Sequence, residues 1–362
     1  MLESGRGTEG NEHRWWFAGA FRFVVLGASL LLGGCQLAYY GQAVKGHLSL
    51  MSQREPVARV IADESTPEPV RHRLRLSARV LDYAAGMGLP AERVYRDYVA
   101  LEENAVVWNV LAAPRLSLTP HTWCYWFLGC LSYRGYFDPQ AARDEAQRLA
   151  DEGNDTYISG VVAYSTLGWF ADPLTTPMID TSDVGLVERM LHELAHRKLY
   201  IRDDTRFNES LATMVAREGT LRYLAHHDLG VDPRRWLQRN TGQAAFLALV
   251  DDTRQALARL YASDRGDSDK LRAKAALIGR LRERYARQAD QVPALIAYRD
   301  FFDGPLNNAQ LNGVQDYYGL VPAFQRLLLD CGGEWRCFWK HVERLGHDGP
   351  ARRAWAADWR NG

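Results

Sequence analysis

The stretch His192-Glu193-Leu194-Ala195-His196 has the residue types and the spacing of a metal site. On a helix, residues four apart lie on one face with Cβ atoms about 5–6 Å apart, so both imidazoles can bind one ion at about 2.0–2.1 Å. Glu193 projects beside them, where its carboxylate can take a proton from a metal-bound water. The spacing predicts a Zn²⁺ site for hydrolysis; the alternative is an ordinary helix with two histidines.

A third candidate ligand follows a short distance along the chain. Glu209 comes thirteen positions after His196, in a segment whose pattern also predicts a helix. Asp203 and Asp204 would form the turn that lets the second helix pack on the first and directs Glu209 to the same ion. Three protein ligands with a fourth position open to water are typical of a catalytic zinc ion rather than a structural one.

The elements that must position these side chains are helices. Thr181, Ser182 and Asp183 offer N-caps to a helix predicted over Ser182–Tyr200, and the second helix is predicted over Phe207–His226. The first helix has an apolar stripe at helical spacing, made of Val184, Val187, Leu191 and Leu194.

Hydrophobic periodicity predicts helices through most of the chain and strands only in its first half. Further helices are predicted over Val70–Gly86, Pro139–Ala150, Gly242–Tyr261, Asp267–Asp290, Tyr317–Leu329 and Glu334–Leu345. Strands are predicted over Ala105–Val110, Trp123–Tyr133 with an interruption at Gly129, and Asp155–Leu167. The expected fold is α+β, mostly helical, with a small early β-sheet flanking the helix of His192.

The amino terminus has the features of an export signal. Phe23–Gly34 is a 12-residue apolar run that follows basic residues, which is shorter than the roughly 20 residues that span a bilayer. It ends in Leu32-Gly33-Gly34-Cys35, which resembles the bacterial lipobox and predicts a lipid on Cys35. A plain secretory signal or a short membrane anchor is the alternative. Gln36 after the cysteine favours, by resemblance to Gram-negative lipoprotein sorting, the outer membrane of the cell envelope, facing the periplasm.

The chain is thus expected to consist of a signal peptide, a tether and one large domain. The expected bounds are 1–34 for the signal peptide, 35–67 for the tether and 68–362 for the domain, with a strand-containing part at 68–180 and a helical part at 181–362. Lys plus Arg and Asp plus Glu number 44 each, and this zero net charge argues against a nucleic-acid partner.

The other four cysteines would lie in a compartment that permits disulfides. Cys124 and Cys130 are six residues apart, as are Cys331 and Cys337, and a bridge within either pair requires a turn between its partners. Gly332 and Gly333 could supply that turn for the second pair. Four cysteines allow three connectivities, and buried free thiols are the alternative.

Several blocks of the chain resemble known families. The HELAH motif followed by Asn208-Glu209 is similar to the gluzincin metallopeptidases, although the spacer between His196 and Glu209 is shorter here. A closer resemblance, over nearly the whole mature chain, is to a bacterial family of predicted aminopeptidases that are largely lipoproteins. Besides the metal motifs, it is carried by Val106–Val110, Cys130, Tyr133–Phe137, Ala163–Phe170, Leu306–Ala309 and Leu320–Phe324.

The resemblance implies a zincin-like fold and a zinc peptidase that acts on peptides or proteins. His192, His196 and Glu209 would bind Zn²⁺, and Glu193 would be the general base. The strand Gly160–Leu167 would run along the cleft and pair with the substrate backbone, or it is an ordinary core strand.

A donor to the developing oxyanion is also needed. Tyr317 is the first candidate, followed by Tyr164 and Arg134. His226 and His227 more simply end a helix, and Glu218 would orient a ligand histidine or pair on the surface.

The kind of peptide is less determined than the chemistry. An aminopeptidase needs a carboxylate for the substrate's α-amino group, and Asp172 and Glu218 are the candidates for it. An envelope endopeptidase with the same chemistry is one alternative. A non-catalytic zinc-binding envelope lipoprotein is another, although a structural metal site would not need a base such as Glu193.

Overall fold

The computed structural model describes residues 39–125, 129–163 and 171–361, without the side chains at 238–241, 315–317 and 359–361. Helices make up most of this part, and seven of its eight short strands lie between residues 55 and 161. The expected α+β class is therefore confirmed. The signal segment with Cys35 lies outside the described residues.

The chain divides into two compact units at residue 52. The described part of the first unit is helix α1 (39–52). The second unit opens with strand β1 (Glu55–Pro56) and helix α2 (Val57–Ala62). A tether was expected as far as residue 67, but Val60 of α2 is buried in the core of the domain. Val57, Val60 and Ile61 fall at helical spacing, so one short helix directs all three to the core. Within the described residues, every helix is too short or too polar to cross a bilayer.

The remaining strands form small sheets. They are β2 (Asp97–Val99), β3 (Val107–Pro114), β4 (Trp123–Tyr125), β5 (Gly129–Leu131), β6 (Tyr133–Tyr136), β7 (Asn154–Val161) and β8 (Leu174–Thr175). The three sheets have the orders β1-β2-β8, β6-β3-β7 and β4-β5. The single strand predicted over Trp123–Tyr133 is in fact two strands of a hairpin and the start of β6, and Gly129 has φ +82°, which an L side chain rarely adopts.

The register of the sheet β6-β3-β7 decides which side chains share a face. Leu111 of β3 pairs with Tyr133 and Tyr157, so these three project to one side. Val110 pairs with Arg134 and Ile158 and projects to the other side. Helix α4 (Pro139–Asp151) packs on this sheet, with buried Ala142 and Leu149.

The other helices follow in the second half of the chain, apart from the early α3. They are α3 (Glu68–Gly86), α5 (Thr176–Ile179), α6 (Asp183–Lys198), α7 (Thr205–His226), α8 (Pro233–Tyr261), α9 (Asp267–Ala289), α10 (Arg299–Asp303), α11 (Asn308–Tyr318), α12 (Val321–Asp330), α13 (Trp335–His347) and α14 (Gly349–Asn361). A 3₁₀ helix covers Pro293–Tyr298. The helix predicted over Tyr317–Leu329 is wrong at its start. The break falls at Gly319 and Leu320, and Pro322 suits the first turn of α12.

Two large apolar cores hold most of these helices, and a smaller cluster joins Val184, Leu224 and Trp236. The first joins α3, α6, α7, α12 and α13 through side chains such as Leu191, Phe207 and Phe324. The second joins α8 to α11 and the 3₁₀ helix through side chains such as Phe246 and Phe302. The metal motifs belong to the first core, and a cavity described below separates them from the second.

Two local disulfides are present among the described cysteines. Cys124–Cys130 ties β4 to β5, and Cys331–Cys337 ties the end of α12 to α13. Gly332 and Gly333, with φ of +62° and +81°, form the turn of the second bridge. These bridges decide between the connectivities that the sequence left open.

Candidate metal centre

Helix α6 presents the two histidines on one side because its other side is apolar. Ser182 is its N-cap and accepts a hydrogen bond from the Gly185 N–H at 3.1 Å. Val187, Leu191 and Leu194 are fully buried against the first core. The opposite side carries His192, which lines the cavity, and His196, which is buried beside it.

Helix α7 brings in the carboxylate, and Asn208 sets its position. The Asn208 side chain accepts a hydrogen bond from the Ile201 N–H at 2.8 Å and donates one to the Ile201 carbonyl at 2.7 Å. Asp204 caps the helix by accepting from the Phe207 N–H at 3.2 Å. The α6–α7 connection is thus fixed to the first turn of α7, next to Glu209. Asn208 stands next to Glu209 in the sequence, but its positioning role becomes visible only in the structure.

The three predicted ligand atoms converge. Nε2 of His192 lies 3.1 Å from Nε2 of His196, and Oε2 of Glu209 lies 3.3 Å from the first and 3.4 Å from the second. Ligands at about 2.0–2.1 Å around a tetrahedral ion are about 3.3 Å from one another. Oε2 of Glu209 is buried and, among the described residues, lacks a hydrogen-bond donor of good geometry. The residues fit a small divalent cation.

The electrostatics of the cluster favour positive charge at its centre. Burial disfavours ionisation of Glu209, yet His196 and His192 outweigh it and hold the pKa of that carboxyl well below its usual range. Burial also lowers the pKa of His196, but Glu209 outweighs it, so the net pKa is raised. A carboxylate that raises the pKa of the neighbouring His196 against the effect of burial would attract a metal cation for the same reason.

Glu193 lies beside the three ligands and lines the same cavity. Burial raises the pKa of its carboxyl, with the neighbouring imidazoles acting in the opposite direction. A raised pKa suits a group that must take up a proton and later release it.

A cavity of about 670 Å³ opens from the cluster. Its floor consists of Thr181 and Ser182 and of the side of α6 that carries Gly185, Glu188 and His192. One wall is the face of the sheet that carries Leu111, Tyr133 and Tyr157, continued by residues 159–163 of β7 and its end. The opposite wall comes from the second core. The space is large enough for a peptide segment of a few residues.

The structure describes the predicted oxyanion donors only in part. Tyr317 lies in α11, but its side chain is not among the described side chains. Tyr164 lies outside the described residues. Arg134 requires a correction. It projects to the face of the sheet opposite Tyr133, where its guanidinium is 3.7 Å from Glu145 of α4. The tyrosines that line the cavity include Tyr133, Tyr157 and Tyr318. Finding the first two requires the register of β6 and β7 against β3, which decides the face of the sheet to which each side chain projects.

The other acidic candidates have partners elsewhere. Asp172 is 1% exposed and accepts a hydrogen bond from Arg197 at 2.8 Å. Glu218 pairs with Arg222 at 2.9 Å. His227 follows the end of α7 and stacks on Tyr223. By contrast, Glu188 lines the cavity and was missed, although its place four residues before His192 puts it on the same helix face.

A protein-family model matches nearly all of the described chain. A family model described as "Putative aminopeptidase" matches residues 38–356, and these include every helix and strand from β1 to α13. No curated protein and no solved structure matches the chain. The match spans both metal motifs, the sheet and both cores, and the chain belongs to the putative aminopeptidase family.

Proposed function

We propose that the protein is a zinc-dependent aminopeptidase. The observation that carries this proposal is the triangle of His192, His196 and Glu209, whose edges of 3.1, 3.3 and 3.4 Å suit a tetrahedral ion. Glu193 beside the triangle gives the cluster a base, which a purely structural metal site would not require. The family description supports the choice of peptide substrates.

A zincin-like arrangement is part of the proposal. Strand β7 is the last strand of the described sheet β6-β3-β7, and residues 160–163 line the cavity along α6. An edge strand with unpaired backbone groups can bind an extended peptide by main-chain hydrogen bonds. The predicted substrate-binding strand, Gly160–Leu167, begins in this segment, and its residues from 164 onward lie outside the described part.

The mechanism assigns a task to each residue of the cluster. His192, His196 and Glu209 would hold the metal, and the chemistry supplied by a bound ion would be a more acidic water and a polarised substrate carbonyl. Glu193 accepts a proton from the attacking water at its carboxylate and delivers it to the leaving amine. A hydroxyl of the cavity wall donates to the oxyanion; Tyr318 and Tyr133 line this cavity, and Tyr317 is the residue expected from the sequence.

The proposal also includes the cellular place of the reaction. Cys35 would carry a lipid after removal of residues 1–34, and the protein would be anchored to the outer membrane facing the periplasm. The two disulfides are consistent with an oxidising compartment.

The test combines metal analysis with peptide hydrolysis by the mature protein. We expect one zinc ion per chain, and we expect Glu193→Gln to keep the ion while turnover falls by roughly 10²–10⁴-fold. A peptide library with free and blocked amino termini distinguishes the alternatives. Cleavage of blocked peptides would indicate an endopeptidase, and zinc binding without cleavage of any peptide would indicate a non-catalytic protein. A fully active Glu193→Gln variant would refute the role of Glu193.

A further inference from the structure

One buried tyrosine has a hydroxyl that neither the fold nor the mechanism uses. Tyr95 lies in the bend before β2, and its side chain is 2% exposed. Its hydroxyl oxygen is buried and, among the described residues, lacks a hydrogen-bond partner. Buried polar groups in native proteins are nearly always paired, so an unpaired one is a candidate for a functional role.

The backbone at Tyr95 is unusual as well. Its φ is +58°, in the left-handed region that a bulky residue rarely adopts. Hydrogen bonds on both sides hold it there. The Tyr95 N–H donates to the Asp172 carbonyl at 2.9 Å, and the next carbonyl, that of Arg96, accepts from the Val57 N–H at 2.9 Å. Strained positions that the surrounding structure fixes in this way cluster at active sites.

The hydrogen bonds of Asp172 connect Tyr95 to the helix of the metal motif. The Asp172 carbonyl accepts from Tyr95, and its carboxylate accepts from Arg197 at 2.8 Å. Both side chains of this ion pair are nearly inaccessible to solvent. Arg197 follows Glu193 by four residues on α6, so these two share one face of the helix. Tyr95 is therefore joined to the face of α6 that carries Glu193.

The charges around Tyr95 indicate which acceptor its hydroxyl can reach. Burial raises the pKa of Tyr95 well above its ordinary value, and the negative charges of Glu193 and, to a smaller extent, Asp172 raise it further. The hydroxyl therefore keeps its proton and can act as a donor. Because the Asp172 carboxylate is already bonded to Arg197, Glu193 is the acceptor that these contacts favour.

We infer that Tyr95 is a positioning residue, whose hydroxyl donates a hydrogen bond to the Glu193 carboxylate and fixes its orientation beside the metal triangle. This inference rests on the proposed function and deepens it. A general base works best when a second group orients it.

The location of Glu193 explains why such a donor is useful. Glu193 lines an open cavity, and a carboxylate on a helix has several rotamers, of which only some direct an oxygen to an attacking water. A donor on a buried, fixed segment selects one of them. Hydrogen bonds of a general base often shorten when substrate binds, so the hydroxyl and the carboxylate need not be in bonding contact beforehand.

A second buried tyrosine provides the matched control. Tyr223 of α7 is fully buried, and its hydroxyl likewise has no hydrogen-bond partner in the described part of the chain. Its ring stacks on His227 with centroids 4.1 Å apart. It follows Glu209 by about four helical turns of α7, so it belongs to the end of this helix that is remote from the metal motif.

The first experiment is hydrolysis of a cleaved peptide by the zinc-loaded mature protein. Tyr95→Phe is expected to lower kcat at least about tenfold, while KM and zinc content stay within about twofold of wild type. Tyr223→Phe should keep kcat within about twofold. If both hydroxyls were merely structural, neither variant would lose turnover, because removing an unpaired buried hydroxyl is neutral or stabilising. Wild-type kcat in Tyr95→Phe, or equal losses in the two variants, would overturn the inference.

The second experiment measures the contact without turnover. Zinc-loaded protein is titrated by calorimetry with leucine hydroxamate, a zinc chelator that is not hydrolysed at a peptide bond. Tyr95→Phe should weaken binding at least about fivefold when Glu193 is present and less than about twofold in Glu193→Ala, which has no acceptor. Equal weakening in the two backgrounds would show that Tyr95 does not act through Glu193.

The two experiments together separate this inference from the proposed function. Peptide hydrolysis with independent effects of Tyr95→Phe and Glu193→Ala on hydroxamate binding would leave a zinc peptidase and refute the positioning role. Coupled effects on hydroxamate binding without hydrolysis of any peptide would keep the contact between Tyr95 and Glu193 and refute the peptidase.

Discussion

Two buried polar clusters in this molecule are built in opposite ways. At the start of α11, Asn308 donates hydrogen bonds to the carbonyls of Pro114, Arg115 and Ser117 at 2.9, 3.1 and 3.0 Å. Its Oδ1 accepts one from the Tyr261 hydroxyl at 2.9 Å. In the cluster of His192, His196 and Glu209, by contrast, the three polar atoms face one another, and Oε2 of Glu209 lacks a donor among the described residues.

The difference separates polar groups that stabilise the fold from groups that are arranged for a ligand. Buried polar side chains in native proteins are nearly always hydrogen-bonded, because an unpaired one costs about 1–3 kcal/mol. The Asn308 cluster follows this rule and connects α11 to the loop after β3. The Glu209 cluster departs from it on helices that have side-chain N-caps, and the proposed zinc ion would supply the missing partner.

The largest expected effect comes from changing Glu209 to Gln. The amide is a poor zinc ligand, so zinc should be lost and kcat/KM should fall at least about a thousandfold, roughly 4 kcal/mol of transition-state stabilisation. The metal-free variant should be about as stable as the metal-free wild type, because the amide keeps the shape of the side chain. Metal analysis, peptide hydrolysis and urea unfolding check this. Stoichiometric zinc in the variant would contradict the assignment of Glu209.

Changing Asn308 to Ala should have the opposite pattern. The carbonyls of Pro114, Arg115 and Ser117 each lose a hydrogen bond, although the first two keep one from the Ser117 N–H and from Lys274. The free energy of unfolding should therefore fall by about 1–3 kcal/mol. Zinc content should remain at one per chain, and kcat/KM of the folded protein should stay within about threefold of wild type. Urea unfolding and metal analysis measure the two quantities. If zinc were lost together with stability, the two clusters would not be independent.

Metal removal gives a third comparison. A ligand at a hundred times its dissociation constant stabilises the folded state by about 2.7 kcal/mol, so zinc should raise the melting temperature of the wild-type protein and a chelator should lower it. The shift should be absent from Glu209→Gln and retained in Asn308→Ala. A zinc-dependent shift of normal size in Glu209→Gln would place the metal elsewhere.

The convergence of the three proposed ligands could be predicted because its information is local. His192 and His196 are four residues apart on a capped, striped helix, and Glu209 follows in the next one. The same periodicity would have placed Glu188 on the helix face of His192. The side of the sheet that carries Arg134 could not be predicted, because it depends on the pairing of β6 with β3, and a shift of one residue would reverse it.

The Asn308 cluster shows the limit more clearly. The carbonyls that accept from Asn308 lie more than 190 residues earlier in the chain, and only the docking of α11 beside β3 brings them together. Sequence resemblance marked Leu306–Ala309 as a family block without indicating its task. The break between α11 and α12 was missed for a related reason. An apolar pattern continues across Gly319 and Leu320, and the Leu320 N–H is instead bonded to Ser210 of α7 at 3.1 Å.

The smallest expected change in stability concerns Tyr261, whose hydroxyl donates to Asn308. Burial, reinforced by Asp155, raises the pKa of Tyr261 to about 12 in the folded protein, compared with about 10 in an unfolded chain. Between these values the unfolded state releases the proton and the folded state keeps it, so stability is lost as pH rises from 10 to 12. Tyr261→Phe removes one hydrogen bond and should lower the free energy of unfolding by about 1 kcal/mol at pH 8. It should also make the decline above pH 10 shallower. Urea unfolding of the metal-free proteins at pH 8, 10 and 11 measures both effects, and parallel declines in the two proteins would show that burial does not hold Tyr261 neutral.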